Sequence, residues 1–388
     1  MKHLPRFLIL LPWLLGAGCG DSDAASAPGA WVWELPETVP PPRVPSDNPM
    51  SEAKVELGRF LFYDTKLSGN QTQSCGSCHQ QEFAFTDTLA QAEGSTGEIH
   101  PRSSMSVANA GYAASLTWAN PAVVQLEDQA LVPTFGEDPV ELGMAGMEDE
   151  LLRRMREDPR YPEMFAEAFP HAADPISLDS ITKAIASFQR ALTSFNSRYD
   201  RWNERDTSAL TESEQRGMAL FFGGTTEAGV PDALECFHCH GGFLLSQAVD
   251  HDGSEFNQQT FINNGLYHLD SDGSYPDGNE GLYDLTHDPA DKGKFKPPSL
   301  RNVAVTAPYM HDGSIATLEE VVEHYARGGR RVESGPNAGD GRDNPNKSSF
   351  LNGFEITEQE KQDLLAFLRA LTDEELLSSP KFSDPFAE

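Results

Sequence analysis

The chain is 388 residues long, carries a formal charge of −31 and has 38% apolar side chains. That length suits two domains with real cores. The acidic balance argues against binding nucleic acid or an anionic membrane face; a generally solubilising surface accounts for it, and steering of a basic or dipolar protein partner is the more specific reading.

Residues 1–18 hold Lys2 and Arg6, an apolar run through Leu15, and Gly16-Ala17-Gly18 before Cys19. The run is too short to span a bilayer and has the layout of a secretory signal. Small residues ending in a cysteine resemble a bacterial lipoprotein signal, with Cys19 acylated after cleavage. Plain release from the membrane is the other reading. Losing Lys2 and Arg6 with the leader takes the charge from −31 to −33. No later segment is apolar enough to cross a bilayer. Residues 19–49 are expected to be a tether and an extended lead-in, with Pro40-Pro41-Pro42 blocking helix.

Val55, Leu57, Phe60, Leu61 and Phe62 predict a short helix ending near Asp64, and Cys75-Gly-Ser-Cys-His79 follows at once. The pattern recurs as Cys236-Phe-His-Cys-His240, 161 residues further on. Cys-x-x-Cys-His is the pattern of c-type haem attachment. Two thiols one turn apart bond the two vinyl groups of one porphyrin, and the next residue, His79 or His240, is aimed at the iron as proximal ligand. A shared zinc site or two redox disulfides are the competing readings. Zinc needs no histidine after the second cysteine, and neither copy sits in a βαβ pattern. Cys75, Cys78, Cys236 and Cys239 are thereby used, and Cys19 is the fifth and last cysteine.

Residues 80–147 show no long periodicity and are expected to be loops and short helices, as suits an irregular pocket wall. Ile181, Ala184, Ile185, Phe188, Ala191, Leu192 and Phe195 predict a helix over 181–195. The polar stretch Arg198–Ser208 marks the domain boundary, giving a first haem domain over 50–205 and a second over 206–380. Capping boxes at Thr211-x-x-Glu214, Thr317-x-x-Glu320 and Thr357-x-x-Glu360 start three further helices. Residues 241–293 are rich in Gly, Asn and Asp and read as a functional loop region. The fold class expected is mainly α: two cytochrome c-like haem domains with long loops and little sheet.

Asp47-Asn-Pro, Leu57-Gly-Arg-Phe-Leu-Phe-Tyr-Asp64 and Leu300-Arg-Asn-Val-Ala-Val-Thr-Ala-Pro-Tyr-Met-His-Asp-Gly-Ser314 resemble the bacterial di-haem cytochrome c peroxidases and the related MauG enzymes. The resemblance covers most of residues 45–372. Peroxidases of this kind place a Met on the second haem, fourteen residues after the His of His-Asp-Gly; here that position, counted from His311, is Tyr325. MauG enzymes carry a Tyr there. A hard phenolate favours ferric and higher iron, whereas a thioether favours ferrous iron. Met310 and Met218 are the alternative soft ligands.

The resemblance further implies that Trp118 relays charge between the haems. Relatives have Trp-Asp-Gly-Arg where this chain has Trp118-Ala-Asn-Pro121. Gln129 and Glu141 fall where the family places a Gln and a Glu over the open face of the first haem. There a carboxyl assists O–O cleavage. His100 at most lines that pocket, and Arg102, Arg301 and His311 are structural. A calcium between the haems would take Asn109, Thr306 and Pro308.

Leu116-Thr-Trp-Ala-Asn-Pro121 and Phe135-Gly-Glu-Asp-Pro-Val-Glu-Leu-Gly143 are most similar to the MbnH-like, methanobactin-associated branch. That branch implies a periplasmic enzyme. Hydrogen peroxide raises its two haems to a high-valent state, which oxidises a Trp of a copper-binding partner protein. The alternatives are a peroxidase fed by a small redox protein and a non-catalytic electron-transfer cytochrome.

Overall fold

Two crossing helix pairs carry the architecture, and the first helix of each precedes a Cys-x-x-Cys-His motif. The computed structural model describes residue 29 and residues 31–223, 234–255 and 258–387; the leader, Cys19 and most of the tether lie outside the described residues. In chain order the helices are α1 (Glu52–Tyr63), α2 (Cys75–Cys78), α3 (Leu126–Gln129), α4 (Leu131–Phe135), α5 (Glu148–Glu157), α6 (Tyr161–Ala168), α7 (Leu178–Ala191), α8 (Arg198–Asn203), α9 (Glu212–Phe222), α10 (Tyr283–Thr286), α11 (Leu318–Arg327), α12 (Glu358–Ala370) and α13 (Glu374–Ser378). Sheet is confined to two antiparallel pairs among the described residues. β1 (Ile262–Asn263) pairs with β2 (Lys294–Phe295), and β3 (Arg331–Val332) with β4 (Gly339–Asp340). The mainly helical, loop-rich class expected from the sequence is the one found. No described helix is long and apolar enough to cross a membrane.

The three capping boxes form as the sequence predicts, each with the Thr hydroxyl accepting from the amide of the Glu three residues on. The α7 helix differs at its end, stopping at Ala191 rather than running to 195. The Leu192 carbonyl accepts the Asn109 amide at 2.7 Å, and the Ser194 amide donates to Asn109 Oδ1 at 2.8 Å. Those bonds pull the chain out of the helix. Phe195 remains core all the same, edge-on to Tyr112.

The helix pairs α1/α7 and α9/α12 are built alike. Gly58 lies so close to α7 that a Cβ would stand 2.0 Å from the Ala184 carbonyl oxygen and 2.8 Å from Phe188 Cβ. Gly217 repeats this against α12, 1.9 Å from the Asp363 carbonyl oxygen and 2.8 Å from Phe367 Cβ. Missing side chains let the backbones touch. Around the first crossing Leu57, Leu61, Ile181 and Ile185 are buried with Tyr161 and Phe165 of α6. Around the second, Phe221, Leu364, Phe367 and Leu368 are buried with Val322 of α11. Thus Gly58-Arg-Phe-Leu-Phe62 and Gly217-Met-Ala-Leu-Phe221 form a second internal repeat besides the cysteine motifs.

The halves are laced together. Tyr199 of α8 stacks on Phe222 and meets Phe367 edge-on, so this helix packs with the second crossing. Past α12 the chain returns to the first. Leu376 and Phe382 enter the cluster of Phe62, Phe85 and Phe188. Gln81 donates to the carbonyls of Leu376 and Ser379 at 2.8 and 2.9 Å, and Tyr63 donates to that of Phe382 at 2.9 Å. Between the halves, the buried Arg301 guanidinium makes two 2.8 Å bonds to Asp200 and also donates to the Phe243 carbonyl.

Replacing Gly58 or Gly217 by Ala forces backbone apart at a crossing. Each substitution is expected to cost about 3 kcal/mol or more, at the upper end of overpacking. Denaturant unfolding of the haem-loaded protein measures it, with Gly146→Ala as a reference for left-handed backbone strain without crowding, since nothing lies within 4 Å of a Cβ there.

Candidate active site

The first motif occupies α2, directly after the α1 crossing. Gly76 is needed there, because a Cβ would stand 2.4 Å from the Tyr63 ring. Burial pushes the Cys75 thiol up to about 12 and the Cys78 thiol up to about 11. Both cysteines are free. Among the described residues no group of three or more His, Cys, Asp or Glu is placed to hold a bare metal ion.

His79 is fixed by a 2.9 Å bond between its Nδ1 and the Phe85 carbonyl oxygen. A carbonyl only accepts, so the proton sits on Nδ1 and Nε2 keeps its lone pair, as an iron ligand requires. The bond is held by unusual backbone. Ala84 and Phe85 are both left-handed, with φ of 53° and 61°. Such residues cost of order 1–3 kcal/mol each. Phe85 is fully buried among Phe62 and its neighbours, and that packing holds the conformation.

The second motif repeats the logic on a 3-10 turn, Cys236–His238. His240 Nδ1 lies 3.1 Å from the Pro298 carbonyl oxygen, and a left-handed residue, Leu245 at φ 52°, sits beside it. Burial pushes the His240 imidazole down to about 4 and the Cys236 thiol up to about 12. Tyr325 reaches this site from α11. Burial pushes its phenol up to about 12, Asn264 pulls the other way, and it lies near enough to feel Cys239 and Cys236. Asn264 also donates to Met310 Sδ at 3.3 Å, so the alternative sulfur lies on the same side.

A cavity opens beside the first motif. Cys75, Cys78 and His79 form one wall; Gln129, Glu141 and His100 lie on the others. These residues are distant in sequence, and the structure brings them to one cavity. The hairpin over 92–100 does much of the placing. Its Ser95 amide donates to the Glu141 carbonyl at 2.7 Å, and a Cβ on Gly94 would stand 1.9 Å from the Val140 carbonyl oxygen. Burial raises the Glu141 carboxyl above its ordinary range. Its neighbour Glu127 is committed elsewhere, to the buried Arg190 at 3.0 Å.

A c-type haem fits both sites: a thiol pair, a histidine whose Nε2 lone pair is free, and at the first site a cavity with an orphaned buried acceptor, Gln189 Oε1, in its wall. Trp118 packs against the cluster of Leu266, Tyr275, Phe295 and Ile315, and its indole donates to the Ser103 carbonyl at 2.9 Å. The Asn109 amide is engaged with Ser194, Oδ1 accepting at 2.8 Å and Nδ2 donating at 3.2 Å, which leaves Oδ1 one lone pair. Thr306 follows the turn that starts at Asn302, and Pro308 is cis.

Arg102 bonds Asn279 and Asp284, and Arg301 bonds Asp200, as structural residues do. The sequence reading missed Phe85, Pro298 and Asn264, which act through backbone carbonyls or one amide and leave no pattern. It missed the Gly58/Gly217 pair too, taking the haem motifs as the only internal repeat, although each glycine precedes an apolar helix end and then a haem motif.

Fold and sites together define a mainly helical protein with two c-type haem sites, one beside an open cavity. The chain belongs to the di-haem cytochrome c peroxidase family. The family model, described as di-haem cytochrome c peroxidase, matches residues 52–208. The chain is 36% identical to a cytochrome-c peroxidase, IdrP1, of Denitromonas iodatirespirans, over 96% of this chain and 94% of that one. It is 32% identical to the methylamine utilization protein MauG of Methylorubrum extorquens, over 92% and 89%. A solved MauG-like protein associated with microbial copper homeostasis superposes with a TM-score of 0.88 at 52% identity, over 92% of this chain and all of that one.

Denatured protein from a host that matures c-type cytochromes should retain two haems by mass. A Cys75→Ser/Cys78→Ser variant should retain one.

Proposed function

We propose that this chain is a peroxide-dependent oxidoreductase of the MauG type, which withdraws electrons at long range from a residue of a partner protein. The observation that supports it best is an asymmetry. Glu141 and Gln129 flank an open cavity beside the first motif, whereas the Tyr325 phenol sits close to the second. The haems, once attached, supply the iron chemistry that cleaves the O–O bond and stores oxidising equivalents. In this reading Glu141 moves a proton from one peroxide oxygen to the other, and burial keeps water from competing. Gln129 orients the oxidant. Trp118 carries charge between the two sites, and Tyr325 closes the second against oxygen ligands.

The likeness to a MauG-like protein associated with copper homeostasis points to a copper-binding partner, with a Trp as the oxidised residue. Export to the periplasm, a lipid anchor on Cys19 and a calcium held by Asn109, Thr306 and Pro308 belong to the same proposal. So does the division into haem domains over 50–205 and 206–380. The second reading, a peroxidase drawing electrons from a small redox protein, is favoured by the naming of the 36% identical relative.

The two part on one experiment. Fully ferric protein should consume peroxide without added reductant. A need for prior reduction of the second haem selects the peroxidase reading. Tyr325→His should keep both haems covalently bound and abolish partner oxidation; full retention removes the role given to Tyr325. Glu141→Gln should slow peroxide consumption by roughly 10²-fold or more, the range of a lost general acid–base group.

A further inference from the structure

His79 and His240 close the two motifs, His100 lines the cavity beside the first, and the main chain treats His100 in the opposite way to the other two. His79 and His240 each present Nδ1 to a carbonyl oxygen. His100 instead receives the backbone N–H of Arg102 on its Nδ1, at 3.1 Å. An amide N–H only donates, so Nδ1 of His100 is the unprotonated nitrogen. The neutral ring therefore carries its proton on Nε2. Burial lowers the tendency of His100 to take a second proton, and Arg102 adds to that. Among the described residues no protein acceptor takes the Nε2–H, and the residue lines the cavity with His79, Gln129 and Glu141.

The segment holding the ring is tied on both sides. The His100 amide donates to the Ala92 carbonyl at 2.8 Å, closing the hairpin that also grips Glu141. The Pro101 carbonyl accepts from Asn279 at 3.2 Å. The Arg102 guanidinium bonds Asn279 at 3.0 Å and Asp284 at 2.8 Å, and lies 5.5 Å from the Phe295 ring centre. A ligand that swings on and off iron needs a lone pair on Nε2 and a mobile segment, and His100 has neither.

We infer that His100 is a fixed hydrogen-bond donor inside the first cavity, its Nε2–H positioning a small anionic or oxygen-donor ligand rather than binding iron itself. The class of ligand is one that accepts a hydrogen bond on the atom bound to the metal, hydroperoxide being the reacting member. His100 is then a positioning residue alongside Glu141. This rests on the proposed reading of the first cavity as the peroxide site.

Fluoride, a small anion that accepts hydrogen bonds strongly, is the probe, titrated into ferric haem-loaded protein and followed by absorption. Wild type should bind it at one haem. His100→Ala should bind it roughly tenfold or more weakly, the loss of one hydrogen bond to a charged group. His100→Gln keeps an N–H donor and should recover part of the loss, which a merely structural role would not show. Equal fluoride affinity in wild type and His100→Ala overturns the assignment alone. Conversion of a low-spin haem to high spin in His100→Ala also overturns it, because that is the mark of a lost ligand. Wild type that binds no fluoride overturns the reading of the cavity as well.

Discussion

A neutral imidazole has one proton to place, and in this protein the main chain decides where it goes. Carbonyls of Phe85 and Pro298 hold it on Nδ1 of His79 and His240 and so expose a lone pair. The Arg102 amide does the reverse to His100. One side-chain type thus takes two opposed roles within one molecule, set by the polarity of a single backbone group. Left-handed Phe85 and Leu245 beside the proximal histidines show that local backbone energy is spent on this arrangement. Packing of buried aromatics offsets it.

The glycine crossings supply the frame. Each brings two helices into backbone contact, and a Cys-x-x-Cys-His motif follows the first of them in sequence. The halves diverge after that point. The first spends its chain on the hairpin over 92–100 and on α3 and α4, which build a cavity wall. The second presents α11, whose Tyr325 approaches the motif side chains directly. A duplicated frame with different loops therefore puts a cavity lined by Gln129 and Glu141 beside one motif and the Tyr325 phenol near the other.

Much of this was legible in the sequence. The twin motifs and the three capping boxes are local patterns, and such patterns survive reading in one dimension, whereas Tyr325 was found only through resemblance. The gathering of Gln129, Glu141 and His100 came from resemblance, since nothing local in their own segments marks them as neighbours. The α7 helix shows where periodicity overreaches. Its apolar repeat continues to Phe195, but Asn109, more than eighty residues earlier, captures the backbone at Leu192 and Ser194. The choice of tautomer was invisible for the same reason: it depends on carbonyls and amides, which every residue possesses.

The return of residues 376–382 to the first crossing ties two distant parts of the chain to one histidine. Phe62, Phe85 and Phe188 are covered by Leu376 and Phe382. Phe85 also carries the carbonyl that holds His79. Loosening this segment would therefore disturb the orientation of that imidazole along with the core, so ring geometry and the anchoring of a remote strap are one thermodynamic quantity.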